Sequence, residues 1–112
     1  MTVVNRYSST QETVNDYTLV DNFLVQTTYG TSVAITIKNT GDYDITWIIY
    51  AGNLSDMSDG ITVKEEATVL DAGVDSYSIA FAPFEFYYIY IANGTPDSPS
   101  TVELTAIVKG VS

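Results

Sequence analysis

Apolar and polar residues alternate with period two along most of this chain, the spacing that buries one face of a strand and leaves the other to water. In residues 31–38, Val33, Ile35 and Ile37 fall on one face and Ala34, Thr36 and Lys38 on the other. In residues 45–51, Ile45, Trp47 and Ile49 oppose Thr46, Ile48 and Tyr50. The link Asn39-Thr40-Gly41-Asp42-Tyr43-Asp44 is rich in residues that tolerate positive φ or bond their own backbone, so the two segments are expected to be neighbours joined as a hairpin. Short strands are expected at 61–64 and 66–70, and Asp71-Ala72-Gly73 then turns the chain into 74–82, where Tyr77, Ile79 and Phe81 alternate with small residues. Pro83, which cannot donate to a ladder, ends that strand. Residues 101–109 alternate Val102, Leu104, Ala106 and Val108 against Glu103, Thr105, Ile107 and Lys109.

The run Phe86–Ala92 differs, because every position in it is apolar or aromatic. A strand of that kind is covered on both faces, by the core on one side and by packing within the molecule or by another subunit on the other. The first 30 residues are less regular. Val3-Val4 begins a strand, Ser8-Ser9-Thr10-Gln11 is polar, and 13–20 and 22–29 offer two more strands around Asp21-Asn22. The abundance of Thr, Val, Ile and Tyr favours pleated sheet, and turn signals recur every ~8–12 residues. The expected fold is therefore all-β: a single antiparallel β-sandwich, jelly-roll or immunoglobulin-like, of about 7–9 strands. Its core should include Val33, Ile35, Ile37, Trp47, Ile49, Ile79, Phe81, Leu104 and Val108. Residues 13–112 would form this domain, and residues 1–12 an N-terminal arm ahead of it.

Composition narrows the function classes. The chain has no histidine and no cysteine, which removes the side chains that carry most acid/base, nucleophilic and transition-metal chemistry at neutral pH. No cofactor is expected. Arg6, Lys38, Lys64 and Lys109 are scattered singly in a chain of net charge −10, which argues against nucleic acid and against anionic membranes. The start Met-Thr-Val-Val-Asn-Arg carries no apolar run of signal-peptide or membrane-span length, so synthesis in a cytosol is expected.

The chemistry that remains rests on carboxylates and rings. Asp42, Asp44, Asp56, Asp59, Asp71 and Asp75 lie mainly in turns, where solvent keeps carboxyls ordinary, so no catalytic pair is assigned. In Gly52–Gly60, Asn53, Asp56 and Asp59 are weak candidates for calcium oxygens, against the simpler reading of a solvated turn, and the EF-hand pattern is incomplete. Nine tyrosines and one tryptophan could stack on sugars, but strand positions make packing the default for Trp47, Tyr77, Phe86, Tyr88 and Tyr90. Asn53-Leu54-Ser55 and Asn93-Gly94-Thr95 match glycosylation sequons and read as chance matches in Ser/Thr-rich loops.

Five stretches carry a resemblance: Val33–Gly41, Ile45–Tyr50, Asp71–Tyr77, Ala82–Phe86 and Val102–Gly110. In order and style they resemble small β-sandwich virion structural proteins of tailed phages and other double-stranded DNA viruses, over about residues 31–110. The Asn-Thr-Gly turn followed by alternating apolar residues also resembles bacterial immunoglobulin-like adhesion modules. The viral resemblance implies a non-enzymatic capsid decoration or cement protein, located in the virion, bound to a capsid or other virion protein and often a homotrimer. The alternative is an extracellular module that binds carbohydrate or a cell surface. On the first reading the expected contact surface is Val3, Val4, Arg6 and Tyr7 of the arm with Phe84, Phe86, Tyr87 and Tyr88 of the aromatic run.

Overall fold

A computed structural model describes residues 2–21, 23–27 and 31–110, with side chains from Asn5 onward. Nine strands occur among them: β1 (Thr2–Glu12), β2 (Thr18–Leu19), β3 (Val25–Gln26), β4 (Ser32–Asn39), β5 (Ile45–Gly52), β6 (Ile61–Val69), β7 (Val74–Ile79), β8 (Phe86–Asn93) and β9 (Thr101–Gly110). They form two antiparallel sheets, one in the order β1-β9-β4-β7 and one in the order β2-β8-β5-β6, with β3 also paired to β8. The expected all-β sandwich is present. Each sheet mixes strands from both ends of the chain, and β1→β2, β3→β4, β4→β5, β6→β7, β7→β8 and β8→β9 all cross between sheets. With β2 and β3 taken as two short pieces along one edge, this is the eight-stranded jelly-roll order.

The core lies between the sheets. Val33, Ile35, Ile37, Val102, Leu104, Ala106 and Val108 enter it from the first sheet, and Val25, Ile45, Trp47, Ile49, Tyr87, Ile89 and Ile91 from the second; all are essentially inaccessible. Burial of each such aliphatic side chain contributes ~1.5–3 kcal/mol against the entropy of ordering the chain. Ile79 is half-buried against this core. Phe81, expected inside, is 67% exposed. The alternation that predicted it requires a continuing strand, but β7 ends at Ile79 and the Ala82 N–H bonds instead to the Thr31 carbonyl at 2.8 Å.

Three further expectations are corrected. β4 and β5 are not hairpin neighbours: β4 lies between β9 and β7, and β5 between β8 and β6. The link 40–44 carries the chain across the sandwich because it packs against the start of β9. The Thr40 N–H bonds to the Thr101 carbonyl at 2.9 Å. Gly41 fits only without a side chain, since a Cβ there would stand 1.9 Å from Ser100 Oγ. Residues 2–12, expected as an arm, form the edge strand β1, paired with β9 from Thr2↔Gly110 to Glu12↔Thr101 with one irregularity between Val3 and Asn5. The half-buried side chains of Tyr7, Ser9 and Gln11 tie the strand to the segment below. The Tyr7 hydroxyl accepts the Gln26 N–H at 3.1 Å, Ser9 donates to the Asp21 carbonyl at 3.3 Å, and Gln11 accepts the Asp21 N–H at 3.1 Å. The two strand candidates at 61–64 and 66–70 are one strand, β6, with register irregularities opposite Trp47–Tyr50.

Candidate functional site

The acidic loop 52–60 closes on itself. Asp59 accepts the Asn53 and Leu54 N–H groups at 2.9 and 3.2 Å, Asp56 accepts Ser58 N–H at 3.0 Å, and the Asn53 side chain accepts Glu85 N–H at 3.0 Å. The Ser58 hydrogen bonds hold the Asp56 carboxyl below the usual range. Each of the three candidate calcium residues thus accepts at least one backbone N–H, and among the described residues no group of three or more acidic side chains converges on a metal-sized site. The loop instead lids the aromatic strand: the Tyr88 hydroxyl donates to the Met57 carbonyl at 3.2 Å, and a Cβ on Gly60 would stand 1.7 Å from that hydroxyl.

This lid decides the fate of the expected contact surface. Phe86, Tyr87 and Tyr88 are buried within the chain, at 8, 0 and 5% exposure, and Phe84 is half-buried with its ring 6.4 Å from that of Tyr87. On the second face of Phe86–Ala92 the molecule's own packing covers Phe86, Tyr88 and Ala92 and leaves Tyr90 half-buried, so the expected contact rings Phe86, Tyr87 and Tyr88 are not a free surface. Tyr7 packs on the core with its ring 6.3 Å from Phe23, whereas Arg6 is exposed. The side chains of Val3 and Val4 lie outside the described residues.

On the outer face of the second sheet, Tyr17, Ile48, Tyr50, Tyr88 and Tyr90 line an open depression of about 340 Å³. Its rings use one another's faces: Tyr50 stacks on Tyr88 at 5.7 Å, and Tyr90 meets Tyr50 edge-on at 5.5 Å with planes 89° apart. A pyranose needs a free flat face, and the stack of Tyr50 on Tyr88 occupies one face of each of these two rings. Tyr17, whose hydroxyl bonds to Glu66, is pushed up to about 12 by burial and by that carboxylate. Tyr87 is likewise pushed up to about 12 by burial and the neighbouring Tyr77, and its buried hydroxyl has no hydrogen-bond partner among the described residues.

At the open side between β6 and β7, the Trp47 Nε1–H donates to Asp75 at 2.9 Å while Lys64 sits 3.4 Å from the same carboxylate and 5.5 Å from the Trp47 ring centroid. Burial opposes the charge on Asp75, but the Trp47 and Ser76 hydrogen bonds and Lys64 outweigh it and hold the carboxyl below its usual range. This group joins the sheets, with both Asp75 oxygens accepting hydrogen bonds, and acts as a structural tie.

One end of the sandwich is organised by a single buried amide, which sequence reading missed. The Asn39 side chain, fully buried, donates to the carbonyls of Tyr43 (2.7 Å) and Val69 (3.2 Å) and accepts from Gly41 N–H (3.1 Å) and Ser100 Oγ–H (2.6 Å). The network continues from Ser100 N–H to Thr13 (2.9 Å), from Thr13 to Asn93 (2.6 Å) and from Asn93 to Asn15 (2.8 Å). Asn39 therefore locks the 40–44 and 70–73 turns together. These turns carry Tyr43, Leu70 and Val74, exposed by 52, 61 and 62%, with Asp42 and Asp71 exposed beside them. The missed signal is weak, because a lone Asn before a Thr-Gly pair reads as turn chemistry whether or not it is buried.

No protein-family model and no curated protein sequence matches the chain. Solved structures match its fold. A protein of the Bacillus endospore appendages, which form disulfide-linked pili, superposes with a TM-score of 0.64 at 17% identity, over 99% of this chain and 90% of that one. PliG, the periplasmic inhibitor of g-type lysozyme from Aeromonas hydrophila, gives 0.56 at 11% identity over 93% and 86%. The Yersinia pseudotuberculosis-derived mitogen gives 0.53 at 14% identity over 96% and 86%. The 112 residues hold no cysteine, so disulfide linkage as in the appendages is closed to them. At these identities the likeness is one of fold, shared by proteins whose roles differ.

Proposed function

We propose that this protein is a non-enzymatic structural subunit of a virion, a capsid decoration or cement protein that works by contact alone. The observation that supports this reading is the end of the sandwich where Tyr43, Leu70 and Val74 stand more than half exposed on turns held by the buried Asn39. Large apolar side chains gathered at one place on a soluble domain mark an interaction site. Because the turns are already fixed, docking costs little ordering entropy. The exposed Asp42 and Asp71 make an acidic rim, which fits an apolar recess bordered by Lys or Arg on the lattice. Many copies on one lattice hold through multivalency even where each contact is modest.

The test is co-sedimentation of the full chain with particles of the virus whose structural genes accompany its own. Stoichiometric binding that weakens with salt is expected, with Leu70→Ser and Val74→Ser together lowering affinity by about 10-fold or more while the fold is retained. Binding unchanged by these substitutions, or particles that take up no protein, overturns the reading. Binding to glycans in place of particles would establish the carbohydrate module instead.

A further inference from the structure

The sandwich has open sheet edges, and they are not equally protected. β2 and β3 are two residues each. β6 carries Lys64, Glu65 and Glu66 together with register irregularities, and β7 is six residues long with Asp75 tied to Lys64. Short length, charges and bulges are the usual means of keeping an edge from pairing with another chain. β1 has little of this: it runs 11 residues, lacks proline and lysine, and is uncharged from Tyr7 to Gln11. Its single irregularity lies near the start, between Val3 and Asn5.

The phase of the free hydrogen-bonding groups follows from the ladder. The Thr13 N–H bonds to the Ser100 carbonyl at 2.9 Å, in continuation of the β1–β9 register. Antiparallel strands alternate the direction of their amides, so odd-numbered β1 residues address β9 and Arg6, Ser8, Thr10 and Glu12 address the open edge. The Arg6 N–H agrees, since it turns to the Asn5 side chain at 2.9 Å and not to β9. The same four side chains are exposed on the outer face.

We infer that β1 is the docking edge for β1 of a second copy of this chain, antiparallel about a two-fold axis at Ser9. In that register Arg6 stands opposite the second copy's Glu12, and Glu12 opposite its Arg6, while Ser8 faces Thr10 in both directions. Directly opposed side chains share a face, so both charge pairs form on the outer side. Shifting the axis by one residue or more breaks them and leaves like or unpaired charges at the ends of the edge. The four facing pairs supply roughly eight backbone hydrogen bonds, the one from each Arg6 N–H replacing its bond to the Asn5 side chain, and the two four-stranded sheets become one continuous sheet. The contact is isologous and closes on itself, so it makes a dimer and not a filament. It stands independently of the proposed capsid docking, which uses different side chains, those of Tyr43, Leu70 and Val74.

The full-length protein tests this by analytical ultracentrifugation across concentrations up to about 1 mM, the scale of a weak contact. A monomer–dimer equilibrium is expected. Ser8→Pro removes an edge donor without removing a β9 bond and should raise the dimer Kd by about 10-fold or more, with the melting temperature nearly unchanged. Arg6→Glu should weaken the dimer, and Arg6→Glu with Glu12→Arg should restore it, a rescue that mere destabilisation of the fold cannot give. In this cysteine-free chain, Ser9→Cys should form an intermolecular disulfide on oxidation, because residues opposed at a non-hydrogen-bonded position bring their Cα atoms within about 4.5 Å. A strict monomer, a trimer, a dimer indifferent to Ser8→Pro, or failure of the charge swap to rescue would each overturn the inference.

Discussion

Asn39 shows how one side chain can hold distant parts of the sequence. All its hydrogen-bonding capacity is used, on partners contributed by two turns and the start of β9. Removing it strands the Tyr43 and Val69 carbonyls, the Gly41 N–H and the Ser100 hydroxyl in a dry site, and each buried group left without a partner costs about 1–3 kcal/mol. Partial relaxation toward water at the nearby surface reduces the sum. Asn39→Ala is therefore expected to lower stability by about 2–4 kcal/mol in urea unfolding, a large share of the ~5–15 kcal/mol that holds a domain folded. A loss below about 0.5 kcal/mol would mean that water replaces the amide and that the turns are not held by it.

At the scale of elements, β1 and β8 exchange the roles that their composition implies. The polar β1 belongs to the sheet because its inward side chains reach Asp21 and Gln26 and its backbone pairs with β9 over ten positions. The aromatic β8 is covered by the core on one face and by the 52–60 loop at Tyr88 on the other, where Tyr90 stays half-buried. Deletion of residues 1–12 should consequently destabilise the whole domain, because it strips β9 of a neighbour and uncovers the core around Tyr7 and Phe23. Thermal unfolding by circular dichroism checks this. A truncated chain that melts within about 2 °C of the intact one, well under the ~4–8 °C that a 1 kcal/mol loss produces in a domain of this size, would restore the arm.

At the scale of the molecule, the first strand pairs with the last, and six links cross between the sheets. Every such pairing must close a long loop before its contacts contribute, which slows folding. Refolding from urea, followed through Trp47 fluorescence in the core, is expected on the millisecond-to-second scale typical of β-sandwiches. Microsecond refolding would contradict a rate set by these non-local pairings. The same topology leaves β1 as the long open edge and places the Asn39-bound turns together at one end, so the two proposed contacts are products of the jelly-roll order.

Period-two alternation was enough to determine that the chain is a β-sandwich and which face of β4, β5 and β9 is buried, because a strand's inside and outside are written directly into alternate residues. It determined nothing about which strands are neighbours. The Asn39–Asp44 link has hairpin chemistry, yet the fit of Gly41 against Ser100 and the burial of Asn39 send it across the sandwich. Phe81 keeps the alternation but lies beyond the last hydrogen-bonded residue of β7, and periodicity cannot mark where a ladder stops. The apolar end at Tyr43, Leu70 and Val74 was illegible for the same reason: it depends on the carbonyls of Tyr43 and Val69, distant in the chain, meeting at one buried amide. Local sequence specifies a residue's face, whereas neighbours, edges and surfaces come from long-range packing that only the tertiary structure decides.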